Sequence, residues 1–212
     1  LGVLQRAVDR LGVDGLRLTA VTTRRNGVAA TKVDVTYPVQ DEVRGLREVL
    51  AIIVASGLAP DVAAAATSVF RRLAAAEAVV HGVSVDEVHF HEVGAADALA
   101  DVVGTAAGLH ELGVTRLFVG SVNVGSGTVA CEHGVLPVPA PATARLLEGW
   151  RTHVAGPARE LTTPTGAALL TALGRQVAAP PRLRGLSCGR GAGRSDPPGW
   201  ANLLRLVVGE AA

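Results

Sequence analysis

The chain has 212 residues and a formal net charge of +1, and 49% of its residues are apolar although it contains only six aromatic ones. Such a length is ample for a sizeable core, which must be built from small and branched aliphatic side chains. The Arg residues are scattered among Asp and Glu, which excludes an obvious nucleic-acid surface, and Asp61 interrupts the longest apolar run before it reaches the length of a membrane span.

The first half of the chain predicts a helix, a β-hairpin and two further helices. Apolar residues recur at helical spacing over residues 2–12. The segments 16–23 and 28–37 alternate apolar and polar residues on either side of Arg25-Asn26-Gly27, a strong hairpin signal. The next two helices are predicted over 42–55 and 60–80.

The second half predicts short strands alternating with helices, after an extended segment that carries two histidines. Thr163 is expected to cap a helix that has Pro164 at its first position. The remaining predictions are helices at 95–112 and 141–148, strands at 117–122, 128–131, 187–190 and 203–208, and extended chain through the prolines at 137, 139 and 141. The sequence contains no clean βαβ repeat, so we predict an α+β (mixed α/β) fold with an N-terminal helix and β-hairpin, a helical segment, and then strands alternating with short helices.

The run HFHE at 89–92, followed by Asp97 and Asp101, is the most informative stretch. In extended chain His89 and His91 would share one face, and carboxylates four residues apart share one face of a helix. Imidazoles and carboxylates together suit a borderline divalent metal such as nickel, zinc, manganese or iron. The alternative is a strand-end His pair with acidic residues that favourably face the dipole of a helix at its first turn. Residue types and spacing leave both interpretations open.

Two other segments are candidates for binding a phosphate. The turn at 125–127 (Gly-Ser-Gly) can offer backbone N–H groups, but it lacks the Lys of a P-loop and a plain tight turn explains it equally well. The helix start at 162–166 (Thr-Thr-Pro-Thr-Gly) offers N–H groups and hydroxyls, and its alternative is an ordinary cap.

Three of the four histidines outside the HFHE run receive an interpretation, and His153 stays unassigned. His133 lies between the Gly-rich turn and the Pro-rich segment, which would hold a ligand or an acid–base group in fixed geometry, although a loop His commonly faces solvent. His81 follows a long predicted helix, where the dipole favours an imidazolium, and we interpret it as structural. His110 is expected on a helix surface. Cys131 and Cys188 lack CxxC spacing, which is typical of reduced thiols in the cytoplasm.

Several longer strings in the sequence carry a resemblance to a known family. They are VHFHEVGAADALADVVG (88–104), SVNVGSGTV (121–129), HGVLPVPAPATARLLEG (133–149) and ELTTPTGAALL (160–170), with weaker matches in RRNGVAATKVDV (24–35) and GRGAGRSDPPGWANLLR (189–205). In this order they resemble the LarC family of nickel-insertion proteins, and the resemblance covers nearly the whole chain.

The resemblance implies a function. LarC-like proteins insert nickel into pyridinium-3,5-bisthiocarboxylic acid mononucleotide in a CTP-dependent reaction, which forms a nickel–carbon bond and completes the nickel-pincer nucleotide cofactor of lactate racemase and related enzymes. The chain is then expected to be a cytoplasmic nickel-inserting lyase that acts on this thiolated mononucleotide. We expect no nucleic-acid partner and no membrane association, and an oligomer remains open.

Departures from the family pattern concern both ends of the chain. A segment resembling DCxSGISGDM is absent ahead of Leu1, and the domain associated with CTP use is absent after residue 212. Ala30 stands where a second Gly is usual, and Arg190 and Ala201 replace a Tyr and a Pro. Residues 1–212 are therefore expected to be the N-terminal nickel-insertion region of a longer or split protein. CTP with Mg or Mn is expected only through a C-terminal LarC-like domain, which would act in trans.

The chemistry of insertion suggests roles for the candidate residues. Imidazoles and carboxylates can bind nickel and still release it, and one such group near neutrality could take the proton displaced from the pyridinium ring. We predict that the HFHE run and Asp97 or Asp101 face one cavity, with the two phosphate candidates at its border. The metal candidates are His89, His91 and Glu92, the catalytic candidates are Asp97, Asp101 and His133, and the nucleotide-binding candidates are Asn123, Gly125, Ser126, Gly127, Thr162, Thr163, Thr165 and Gly166.

The sequence does not divide the roles within these sets. Two other classes of function remain: a metal-dependent hydrolase or lyase that uses the HxHE site on another small molecule, and a non-catalytic nickel-binding partner module. Many LarC-like chains carry a His-rich insert that this chain lacks, which counts against nickel storage.

Overall fold

The computed structural model describes residues 1–37, 44–90, 96–131 and 133–211, and it confirms the predicted α+β class. In the first half the elements are α1 (Gly2–Asp9), β1 (Arg17–Arg25), β2 (Val28–Thr36), β3 (Arg44–Gly45), α2 (Leu46–Ala55), α3 (Pro60–His81), β4 (His89–Phe90) and α4 (Ala96–Glu111). In the second half they are β5 (Leu117–Val119), β6 (Val122–Asn123), β7 (Thr128–Cys131), β8 (Gly134–Pro137), α5 (Pro141–Leu146), β9 (Thr152–His153), α6 (Pro164–Leu173), β10 (Gly174–Gln176), β11 (Leu183–Ala192) and β12 (Leu203–Ala211).

The largest sheet joins the two ends of the chain. Its strand order is β1-β2-β11-β12. Strands β1 and β2 form the predicted hairpin, in which Asn26 and Gly27 adopt positive φ angles of 45° and 82°. Both central turn residues need such angles in the type I′ turn that suits a two-residue hairpin. Strand β11 then runs parallel to β2 with Gly191 opposite Thr31, so the C-terminal strands extend the N-terminal hairpin.

The core is formed by helices packed around α3. Helix α3 contacts α2, α4, α5 and α6, and its Val69, Phe70 and Leu73 are completely buried. Burial of one such side chain is worth about 1.5–3 kcal/mol relative to full exposure. Ala66 on α3 and Ala167 on α6 are also completely buried, and such small side chains allow helices to approach closely. Among the described residues, no helix is both long enough and apolar enough to cross a membrane.

Several elements differ from the sequence-based prediction. The helix predicted over 42–55 begins at Leu46, with Arg44 and Gly45 in β3, and the two C-terminal strands are longer than predicted. Helix α1 ends at Asp9 and not at residue 12, because the N–H groups of Leu11 and Gly12 bond three residues back, to Val8 and Asp9, in a tighter final turn. The single strand predicted at 117–122 is divided into β5, which pairs with β10, and β6, which pairs with β9. The Gly120 carbonyl between them accepts a hydrogen bond from the Gln176 side chain at 3.1 Å.

Candidate functional site

His89 is held at the surface by the burial of its neighbour. Strand β4 pairs with β3, so that Gly45 lies opposite His89 and Arg44 lies opposite Phe90. Phe90 is buried and its ring centroid lies 6.1 Å from that of Phe70 on α3. Because successive residues of a strand point to opposite sides, His89 faces away from the core and is exposed.

His89 lines a cleft that collects side chains from several elements. The cleft encloses about 650 Å³, including space open to solvent. Its walls come from the C-terminal end of α3, from β4, from the β7–β8 hairpin and from the starts of α5 and α6. The side chains that bring donor atoms to these walls are Glu77, His81, His89, Cys131, His133 and Glu160.

Two contacts in this cleft join three of these residues. Nε2 of His81 lies 3.5 Å from Oε2 of Glu77, one helical turn earlier on α3. The ring centroid of His81 lies 4.9 Å from that of His133, and the two planes are inclined at 59°. His81, which we interpret as structural from the sequence, thus contacts a catalytic candidate from a distant part of the chain.

The acidic candidates on α4 are placed differently. Asp97 is exposed and its carboxylate accepts a hydrogen bond from the Ala98 N–H at 2.8 Å, in the first turn of the helix. Neither Asp97 nor Asp101 is among the described residues that line the cleft. The pKa of Asp101 is raised to about 6 because its carboxylate is partly buried, with a smaller contribution from the charge of Asp97. His91 and Glu92 lie outside the described residues.

Two N–H groups of the Gly-rich turn are already used within the chain. Gly125 N–H donates to the Asn123 side chain at 3.2 Å, and Ser126 N–H donates to the Arg159 carbonyl at 3.1 Å. Gly125 is buried with a φ of 82°, and a Cβ at this position would overlap the Arg159 carbonyl oxygen. The glycine thus permits a close approach of two backbone segments, and this geometry favours the tight-turn alternative over a phosphate nest.

Asn123 has a similar internal use. Its Nδ2 donates to the Ala155 carbonyl at 3.0 Å, and its Oδ1 accepts from the Ala155 N–H at 3.2 Å. The Thr162 hydroxyl donates to the Asn123 carbonyl at 2.8 Å. These bonds connect the segment before β7 to the segment before α6, and they place Glu160 between them, opposite Gly125.

The Thr-rich helix start borders the cleft. Thr163 is the N-cap of α6 as predicted, because its hydroxyl accepts from the Gly166 N–H at 3.2 Å with Pro164 at the first helical position. Pro164 itself lines the cleft, together with Glu160. No residue of the 125–127 turn is among the described residues that line the cleft, although Val129 and Cys131 of the following strand are.

Sequence reasoning left four of the cleft residues without a functional assignment: Glu77, His81, Cys131 and Glu160. For two of them a signal existed, since Glu77 and His81 are four residues apart and must share one helical face. Within the ranges that the structure describes, no three or more His, Cys, Asp or Glu side chains are close enough to hold an ion. The described cleft therefore offers ligand types that suit a borderline metal, without a closed coordination shell.

Comparison with known proteins identifies the family. The family model described as "Nickel insertion protein" matches residues 1–212, the whole chain. The chain belongs to the nickel insertion protein family. The resemblance to the LarC family that was carried by the sequence strings is thereby confirmed, and no solved structure matches the chain at a significant level.

Several curated relatives are similar over the whole chain. A pyridinium-3,5-bisthiocarboxylic acid mononucleotide nickel insertion protein of Nocardioides sp. is 47% identical over 212 residues, covering 100% of this chain and 54% of the relative. A putative nickel insertion protein of Geobacter sp. is 46% identical over 213 residues, covering 100% and 55%. A protein of Desulfitobacterium hafniense with the same name as the first is 41% identical over 211 residues, covering 99% and 52%. The chain thus spans about half the length of the curated relatives it matches.

Proposed function

We propose that this chain handles the metal in the insertion of nickel into pyridinium-3,5-bisthiocarboxylic acid mononucleotide, which forms the cofactor of lactate racemase-type enzymes. The observation that carries the proposal is that His81, His89 and His133 line one cleft although they come from separate parts of the chain. They belong to α3, to β4 and to the β7–β8 hairpin. Two of the relatives described above are named for this reaction. Nickel is here a substrate that passes through the site.

The ligand types fit an ion that must be released. Neutral imidazoles and carboxylates bind nickel, while the sulfur atoms of the thiolated mononucleotide are softer donors to which it can move. We assign the first contact with nickel to the HFHE segment, with His89 at the described edge of the cleft and His91 and Glu92 following it directly in the sequence. Glu160 and Glu77 add negative charge to the cleft, which favours a divalent cation.

The mononucleotide would lie with its ring toward the histidines and its phosphate toward α6. The start of α6 carries the positive end of the helix dipole, and Thr162, Thr163, Thr165 and Gly166 surround it. Pro164 brings this helix end to the cleft border. Asn123 and the turn formed by Gly125, Ser126 and Gly127 support this arrangement from behind, since their described polar groups bond to the segments around residues 155 and 159–162.

Formation of the nickel–carbon bond replaces a ring C–H bond, so a proton must leave the pyridinium carbon. We assign its acceptance to His133 or Glu160, which line the cleft. Asp97 and Asp101 on α4 are the further candidates, although neither lines the cleft as described. The use of CTP with Mg or Mn is proposed for a C-terminal LarC-like domain, which would act with this chain. The cytoplasm is the proposed location.

Reconstitution tests the proposal directly. The chain is mixed with nickel, the thiolated mononucleotide, CTP, Mn²⁺ and the C-terminal portion of a full-length relative, and the nickel-containing product is detected by mass spectrometry. We expect product, and a loss of at least tenfold in rate for His89→Ala but not for His110→Ala, which changes an exposed histidine on α4. The full-length relative serves as the positive control. If it forms product and the mixture of this chain with the C-terminal portion does not, the proposal is contradicted.

The same experiment separates the two alternative functions. Nickel binding without product would favour a non-catalytic nickel-binding partner module. Metal-dependent hydrolysis of a small molecule without a preference for nickel would favour a hydrolase or lyase that uses the HxHE site.

A further inference from the structure

We propose that His81 and His133 form a two-imidazole site that holds nickel in the cleft before insertion, and that Glu77 positions His81 for this task. The inference rests on the proposed function and adds residues that neither the HFHE motif nor the family's name identifies. Its starting point is the contact between the last residue of α3 and the tip of the β7–β8 hairpin, with the two ring centroids 4.9 Å apart.

The separation of the two rings fits a shared ion. A ring nitrogen binds a metal of this type at about 2.0–2.1 Å, which places the metal about 3.2 Å from the ring centroid. Two rings with centroids 4.9 Å apart would then subtend about 100° at the ion. This angle lies between those of octahedral and tetrahedral neighbours, about 90° and about 109°. The hairpin and the helix therefore approach at a distance that one cation can bridge.

In this site Glu77 would set the tautomer of His81. Its Oε2 lies 3.5 Å from Nε2 of His81, so the carboxylate favours a proton on Nε2. The neutral ring then carries its lone pair on Nδ1, the atom that would bind the metal. A carboxylate behind a metal-binding imidazole fixes the ring orientation and raises its basicity, and its loss usually weakens metal binding 10–100-fold.

A purely local role explains only part of this arrangement. An imidazolium at the C-terminal end of α3 would be favoured by the helix dipole, and a Glu–His pair four apart would add slightly to helix stability. Neither effect requires a second imidazole from a hairpin some fifty residues later in the chain, or a carboxylate whose side chain is only 16% exposed. A half-buried carboxylate whose partner imidazole contacts a second imidazole is instead suited to a cation.

Two imidazoles also provide the weak binding that delivery needs. The described residues contain no group of three or more ligands that could close around an ion. Nickel held by two protein ligands keeps several water molecules, so stronger donors such as the sulfur atoms of the substrate can displace it.

Nickel titration of the chain, followed by calorimetry, tests the site without substrate or CTP. We expect His81→Asn and His133→Asn each to weaken nickel binding at least tenfold, and the double variant to be little weaker than either single one, because both ligands serve one ion. Glu77→Gln should weaken binding about tenfold while its thermal unfolding midpoint stays close to that of the wild type. His110→Asn is the matched control and should bind as the wild type does.

A measurement on the unaltered chain guards against variants that fail to fold. Paramagnetic nickel, added below one equivalent, should broaden the imidazole NMR signals of His81 and His133 together and before those of His110 and His153. Unchanged affinity in either histidine variant, or broadening that leaves both rings untouched, overturns the two-imidazole site.

The outcome is separable from that of the proposed function. Nickel binding that depends on His81 and His133, in a chain that yields no product on reconstitution, would support this site and reject the proposed function. Full insertion by His81→Asn would reject the site and leave the proposed function standing.

Discussion

At the residue scale, Asp101 shows how its surroundings change a carboxylate. Partial burial and the nearby Asp97 raise its pKa from the ordinary value of 3.8 to about 6. The folded state therefore binds a proton more tightly than the unfolded state. The stability contributed by the protonated Asp101 carboxyl is fully present below about pH 3.8 and is lost as the pH rises through about 6.

This linkage predicts the effect of Asp101→Asn. At pH 7.5 the variant should be more stable than the wild type, by on the order of 1 kcal/mol once solvent screening of an exposed residue is allowed for. The gain should vanish near pH 4, where the wild-type carboxyl is protonated in the fold. Urea unfolding at both pH values measures it, with Asp14→Asn in an exposed loop as the control. A gain that is equal at the two pH values would show that the charge of Asp101 is not its cause.

The histidines show which parts of the candidate site could be predicted from the sequence. His89 was identifiable because the alternation of a strand and the apolar Phe90 define the side on which it lies. The pairing of His81 with His133 was not, because it depends on where the β7–β8 hairpin meets α3, and no local periodicity encodes that contact. The same holds for Glu160, which reaches the cleft only because Gly125 allows the backbone of residues 159–161 to approach.

At the scale of single elements, local signals predicted structure well wherever the cause was also local. The β1–β2 turn follows from Asn26-Gly27, and the start of α6 follows from Thr163 and Pro164, because both depend on the conformations of adjacent residues. The division of the strand predicted at 117–122 depends on which partners, β10 and β9, are available at each end. Such pairing is a property of the folded chain.

The Gly125 turn provides a test at this scale. Gly125→Ala combines a positive φ with a Cβ that overlaps the Arg159 carbonyl, so we expect a loss of about 3 kcal/mol in the free energy of unfolding. Gly82→Ala is the matched control, because Gly82 also has a positive φ, 66°, but no atom lies within 4 Å of its added Cβ. It should cost about 1 kcal/mol. Equal losses in the two variants would show that the close approach of the two segments contributes nothing.

At the scale of the whole molecule, the four-stranded sheet is built from both ends of the chain, and contacts between these ends hold it together. Arg25 is the last residue of β1, beside the hairpin turn, and is only 7% exposed. Its Nε and Nη2 donate to the Gly193 carbonyl at 3.0 and 2.7 Å, across 168 residues of sequence. Its Nη1 also donates to the Thr23 hydroxyl and to the Arg24 carbonyl. This buried guanidinium therefore connects β1 to the loop that joins β11 and β12.

Replacing Arg25 should loosen this connection. Arg25→Ala leaves the Gly193 carbonyl without its charged donor and removes buried side-chain volume, so we expect a loss of about 3 kcal/mol in the free energy of unfolding. Arg25→Lys should recover only part of it, since an ammonium cannot reproduce the paired donation of Nε and Nη2. Arg24→Ala is the control, because Arg24 precedes Arg25 on the same strand and its side chain is exposed. Urea unfolding gives the stabilities, and hydrogen exchange should show faster exchange in β11 and β12 for Arg25→Ala. Exchange that rises only in the β1–β2 hairpin would mean that Arg25 stabilises its own strands and does not join the two ends of the chain.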